Sequence, residues 1–221
     1  MTTTGILALL SYAVILLGNL ICSAMQKPKL AGIFKVLLMP SLALFYSCNF
    51  PHMALAVLLA LGFSWLGDIL LLRSSFPFLL AGIGGFAMAH IFYIIHMMAG
   101  LLLAPPSMLL LIIVGLVYLL ISTALSVYLK DKVRPVLQGA SGAIPVYAGL
   151  LASLAICAVV FGLSTKSASG WLLIVGANLF MLSDSLLSLE LFVRKTRYGD
   201  LMVMLTYGLA QLAIIWGFGL L

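Results

Sequence analysis

Eight apolar runs follow one another with little between them: 5–24, 33–50, 53–72, 77–98, 107–129, 138–162, 169–192 and 199–221. Each is near the ~20 residues that a helix needs to cross a hydrocarbon core. In lipid every backbone polar group must be satisfied within the protein, and the runs lack the alternation of barrel strands, so only helices are meant. The rest of the composition agrees. Of 221 residues, 65% are hydrophobic and 7% charged, against about 25% charged in a soluble domain. The expected fold is all-α: a single integral membrane domain, 1–221, built as a bundle of eight transmembrane helices. Pro51, Pro105 and Pro106 mark turns between spans. Pro40 and Pro145 fall inside runs and are expected to kink their helices.

The basic residues sort by connection. Lys27, Lys29, Lys35, Arg73, Lys130, Lys132, Arg134, Arg194, Lys195 and Arg197 fall in connections 1–2, 3–4, 5–6 and 7–8; Lys166 alone falls elsewhere, completing the 11. Positive charge marks the cytoplasmic side. Eight spans with both termini non-cytoplasmic follow, in a multi-pass protein expected in a bacterial inner membrane. The first run lacks a basic leader and is too long for a signal-peptide core, so it is read as a retained span. The net charge of +6 sets topology and meets membrane lipid headgroups; it is no nucleic-acid signature. Cys22, Cys48 and Cys157 lie in or beside apolar runs and are read as buried thiols, with no disulfide framework.

Two aspartates break this pattern. Asp68 in WLGDILLLR and Asp184 in LFMLSDSLL each stand inside a spanning run, where a carboxylate costs about 2.5–3.5 kcal/mol on insertion scales. Such residues mark function or, failing that, a polar contact between helices. Their surroundings repeat. Gly62 precedes Gly67-Asp68 and two leucines as Gly176 precedes Ser183-Asp184 and two leucines; GFAMAHIF places His90 where YGLAQLAI has Gln211; Pro40 answers Pro145. Two parallel four-helix repeats, 1–104 and 105–221, are expected. A twofold relation between them brings both carboxyls to one cavity, within about 10 Å of each other.

Two carboxyls in a low-dielectric cavity do not both ionise readily, and one retained proton leaves an acid beside a base. That division serves hydrolases and proton relays alike. No metal or organic cofactor is required: His90 and His96 are six apart on different helix faces, and His52 lies in a turn. GFSWLG is not a nucleophile elbow, which needs a strand-turn-helix, so Ser64 is read as a packing residue rather than a nucleophile. His90 and Tyr93 share a face, as do Tyr207 and Gln211. They either line the cavity or satisfy neighbouring backbone, and Asn178 and Ser183, flanking Asp184, divide in the same way. Lys35 is either a topology charge or a headgroup phosphate contact. Asp68 and Asp184 are therefore the candidate catalytic residues. Lys35, Ser64, His90, Tyr93, Asn178, Ser183, Tyr207 and Gln211 are the candidate substrate-binding set.

The segments FKVLLMP, SWLGDILL, FLLAGIGGFAMAHIFY, GANLFMLSDSLL and TYGLAQLAI resemble the YhhN family of integral membrane proteins, which includes the transmembrane lysoplasmalogenases. Val36 departs from the pattern, in which proline usually follows the lysine. The resemblance implies an eight-helix fold. It also implies hydrolysis of the vinyl ether bond of lysoplasmalogen to a fatty aldehyde and a glycerophospho-ethanolamine or -choline, with Asp68 and Asp184 as the catalytic pair. The partner is then a lysophospholipid substrate. The other reading in view is a proton-coupled carrier or lipid-binding protein that uses the same aspartates as a relay.

Overall fold

The computed structural model describes residues 2–73, 75–103, 105–137 and 142–221. It has eight helices: α1 (Thr3–Ala24), α2 (Pro28–Asn49), α3 (Leu55–Leu70), α4 (Phe76–Leu103), α5 (Met108–Leu137), α6 (Ala143–Thr165), α7 (Ala168–Phe192) and α8 (Gly199–Gly219). No strand occurs among the described residues. Seven of the helices are long and apolar enough to cross a membrane, as a polytopic bundle requires.

The boundaries follow local chemistry. Thr2 caps α1 by accepting from the Gly5 amide, and Ser167 caps α7 by accepting from Gly170. Pro28 opens α2, where its fixed φ fits and its missing N–H costs nothing. Lys166 closes α6 in the left-handed region, φ 50°, turning the chain into α7.

Three expectations change. Helix α2 begins at Pro28 rather than at residue 33, so Lys35 lies two turns inside it. Helix α3 has 16 residues, about 24 Å of rise, short of a ~30 Å core. The peptides on either side of it leave the helix early, and Asp68 stands in its last turn. Pro145 does not kink α6. It is the third residue of that helix, within the first turn, whose N–H groups have no intrahelical acceptor to lose. The expected start of the sixth run at 138 lies outside the described residues.

Consecutive helices pack in pairs, α1 on α2, α3 on α4, α5 on α6 and α7 on α8, with α4 against α6 and α8 against α1 and α2 joining the halves. Gly85 lets α3 and α4 meet backbone to backbone: a Cβ there would lie 3.1 Å from the Gly67 Cα. Small residues at such crossings drive helix association where lipid removes any hydrophobic incentive. The core runs through Tyr12, Leu38, Phe45, Ala89, Tyr93, Phe180 and Ile214. Helix α5 is the least buried of the long helices.

Candidate active site

Asp68 is fully buried. An aspartate in the last turn of a helix faces the negative end of the backbone dipole, so it needs donors from elsewhere. Two supply them. The Lys35 Nζ of α2 lies 3.3 Å from Oδ1, and the Tyr207 hydroxyl of α8 donates to Oδ2 at 2.8 Å. The Lys35 contact is an ion pair off hydrogen-bond alignment, since Oδ1 has no aligned donor. Lys35 is thus more than a topology charge: its ammonium is paired with the acid.

One turn before Asp68, the Ser64 hydroxyl accepts from Gln211 Nε2 at 3.0 Å. The Gln211 carbonyl in turn accepts from the Tyr93 hydroxyl at 2.6 Å. Tyr207 and Gln211, one turn apart on α8, therefore make two rungs to Asp68 and Ser64, one turn apart on α3. Ser64, Tyr93, Tyr207, Gln211 and Lys35 are all gathered around Asp68.

Asp184 sits about two-thirds of the way along α7 and is buried. Its Oδ2 accepts from the Tyr147 hydroxyl of α6. His90 of α4 is fully buried, and neither ring nitrogen has a hydrogen-bond partner among the described residues. Its ring lies 4.6 Å from that of Phe180 and 5.7 Å from that of Tyr147. Phe180 also meets Tyr207 edge-on at 5.5 Å. The two acids are thereby joined through rings: Asp68 to Tyr207, Phe180, His90, Tyr147 and Asp184. An orphaned imidazole at the centre of that sequence is a polar group without its hydrogen bonds, and such a group calls for a water or a ligand oxygen.

Two candidates stand apart. The Asn178 amide donates to the Ile174 carbonyl of its own helix and accepts from the Tyr118 hydroxyl of α5 at 2.5 Å. The Ser183 hydroxyl donates to the Val203 carbonyl of α8 at 3.0 Å. Both bond to packing partners on their own or neighbouring helices.

Sequence reasoning missed Tyr147 and Phe180. Tyrosine and phenylalanine are ordinary in spanning helices, and only the register of the sixth run against the seventh points to Tyr147. Among the described residues no group of three His, Cys, Asp or Glu gathers into a metal-binding cluster.

No match was found among curated proteins or among solved structures. A family model described as YhhN family matches residues 30–218, which contain Lys35, both aspartates, His90, Tyr147 and the α8 rungs. The match covers most of the molecule and bears out the resemblance carried by its motifs: the chain belongs to the YhhN family.

Proposed function

We propose that the protein is a membrane-embedded ether hydrolase that cleaves the vinyl ether bond of lysoplasmalogen. The products are a fatty aldehyde and glycerophospho-ethanolamine or -choline. The observation that carries this reading is the differing company of two buried carboxyls in a YhhN chain. Among the described residues Asp68 has a cation and a phenol as partners, and the Asp184 carboxyl has a phenol.

The chemistry follows from that asymmetry. A vinyl ether is protonated at the carbon β to oxygen, giving an oxocarbenium ion. Water adds to the carbon bearing oxygen, and the hemiacetal collapses to aldehyde and alcohol. Asp184, held by a neutral donor, takes the part of the acid. Asp68, facing Lys35, takes the part of the carboxylate that offsets the developing cation and accepts a proton from water. Tyr207 and Lys35 fix its orientation. His90, whose two nitrogens have no hydrogen-bond partner among the described residues, is placed in this reading at the water.

One group must be protonated and the other ionised, so turnover follows a bell in pH. Its acid limb reports loss of the carboxylate and its alkaline limb loss of the acid. The test is aldehyde release by the purified protein supplied with lysoplasmalogen. A proton-coupled carrier would instead move its cargo without releasing aldehyde.

A further inference from the structure

The hydrolysis proposed above leaves its two acids in exchanged states. Asp184 gives its proton to the β carbon and becomes a carboxylate. Water adds to the neighbouring carbon, its surplus proton goes to Asp68, and Asp68 becomes neutral. Collapse of the hemiacetal moves a proton from its hydroxyl to the departing oxygen and by itself changes neither acid. One proton must therefore travel from Asp68 to Asp184 before the next turnover. Three features of the structure bear on its route.

The first is that the way out from Asp68 is closed. Its side chain is 1% exposed, and the cation beside it, Lys35, is the more exposed partner at 16%. A proton leaving for bulk water on that side passes a fixed ammonium, which repels it. The other carboxyl oxygen is covered by the buried Tyr207 hydroxyl.

The second is a gap. Among the described residues no chain of hydrogen bonds runs from one acid to the other. The Tyr207 hydroxyl donates to Asp68 and the Tyr147 hydroxyl to Asp184. Phe180 packs against both Tyr207 and His90, 5.5 and 4.6 Å between ring centres, and a phenyl ring passes no proton.

The third is what fills the gap. His90 is wholly buried, its ring 5.7 Å from that of Tyr147, and neither nitrogen has a hydrogen-bond partner among the described residues. In the sequence comparison of the two halves, His90 stands where α8 carries Gln211. Gln211 is engaged at both ends, accepting from Tyr93 and donating to Ser64. An amide serves there, because it has only to hold two hydroxyls. At residue 90 the chain has instead a side chain that accepts a proton at one nitrogen and releases one from the other. A buried imidazole left without hydrogen bonds calls for waters to complete it.

We propose that His90 is the relay that returns the proton from Asp68 to Asp184, with a water at each nitrogen. A proton arrives at one nitrogen, the proton on the other leaves toward Tyr147 and Asp184, and a turn of the ring restores the tautomer. The relay rests on the hydrolase reading and its assignment of acid and base, and supplies the step that lets the reaction repeat. A competing return uses the hemiacetal: Asp184 takes its hydroxyl proton while Asp68 protonates the departing oxygen. That route needs no histidine.

The experiment is rapid-quench measurement of aldehyde released by the full-length protein in nanodiscs, given excess lysoplasmalogen, for the native chain and His90→Gln. Glutamine keeps a donor and an acceptor for the water but does not pass a proton on. The variant should complete one turnover near the native rate, releasing one aldehyde per protein. Its steady rate should then fall at least about 10²-fold below native, the low end of what a proton-transferring group contributes. The native chain should show no such burst. His90→Asn should behave as His90→Gln does, and decides the question if the glutamine variant does not fold. A steady rate near native in these variants, as return through the hemiacetal or bulk water requires, overturns the relay and leaves the hydrolase standing. First and later turnovers slowed alike also overturn it, since His90 then serves the water alone. No aldehyde from the native chain removes the hydrolase reading, and the relay with it.

Discussion

At the scale of residues, the arrangement around Asp68 is one of mutual dependence. A buried carboxylate at a helix C-terminus is tolerable only with its donors in place. Removing one member of a buried ion pair strands the other and costs about 3–5 kcal/mol, whereas removing both is far milder. Lys35→Met should therefore lower thermal stability in detergent markedly, and Lys35→Met combined with Asp68→Asn should recover most of the loss. Equal stability of Lys35→Met and the native protein would mean that the 3.3 Å contact is not an energetic pair. Both aspartates, His90 and Gln211 were legible as polar residues in apolar runs, because lipid makes each of them expensive. The role of Lys35 was not, although Pro28 was a visible helix-start signal seven residues before it. Tyr147 gave no sign by composition; its value lies in a partner on another helix.

At the scale of elements, Pro40 shows how a broken backbone bond is mended across helices. Proline has no N–H, so the Val36 carbonyl one turn earlier lacks its intrahelical donor. The Trp65 indole of α3 donates to that carbonyl at 2.9 Å. This joins α2 to α3 one residue from Lys35 and three from Asp68, and so braces the ion pair. Neighbouring helices commonly re-satisfy groups freed by proline in membranes. Trp65→Phe should lower stability by about 0.5–1.5 kcal/mol, the net worth of one hydrogen bond. In a Pro40→Ala background, where an amide is restored, the same substitution should cost clearly less. A thermal-unfolding double-mutant cycle measures the difference, and additivity would contradict the mending. The position of Pro40 was plain from sequence, but the donor to Val36 was not, since nothing local relates Trp65 to residue 36. Pro145 was misjudged for a simpler reason: the true start of α6 decides whether a proline kinks or merely opens a helix.

At the scale of the whole molecule, the eight apolar runs correspond to eight helices because lipid leaves little freedom in their kind, while their length ranges from 16 residues in α3 to 30 in α5. Two contacts are related by a shift of four in helix number. Gln211 of α8 bonds Ser64, four residues before Asp68 of α3; His90 of α4 meets Phe180, four residues before Asp184 of α7. On this ground we propose that 1–104 and 105–221 are parallel repeats. From the sorting of basic residues we propose that Asp131 lies on the cytoplasmic side with both termini opposite. In a background lacking Cys22, Cys48 and Cys157, Asp131→Cys should be labelled only from the cytoplasm and Lys166→Cys only from outside; the reverse pattern would invert the topology. The central claim is that the two buried acids share one hydrolysis, and aldehyde release from lysoplasmalogen by the purified protein tests it most directly. Asp68→Asn, less stable because it strands Lys35, and Asp184→Asn should each lose at least about 10²–10⁴ in rate when assayed below their unfolding temperatures, while Ser183→Ala, whose hydroxyl donates to the Val203 carbonyl, stays near native turnover. Near-native release by either asparagine variant, or no aldehyde from the native protein, would contradict the account.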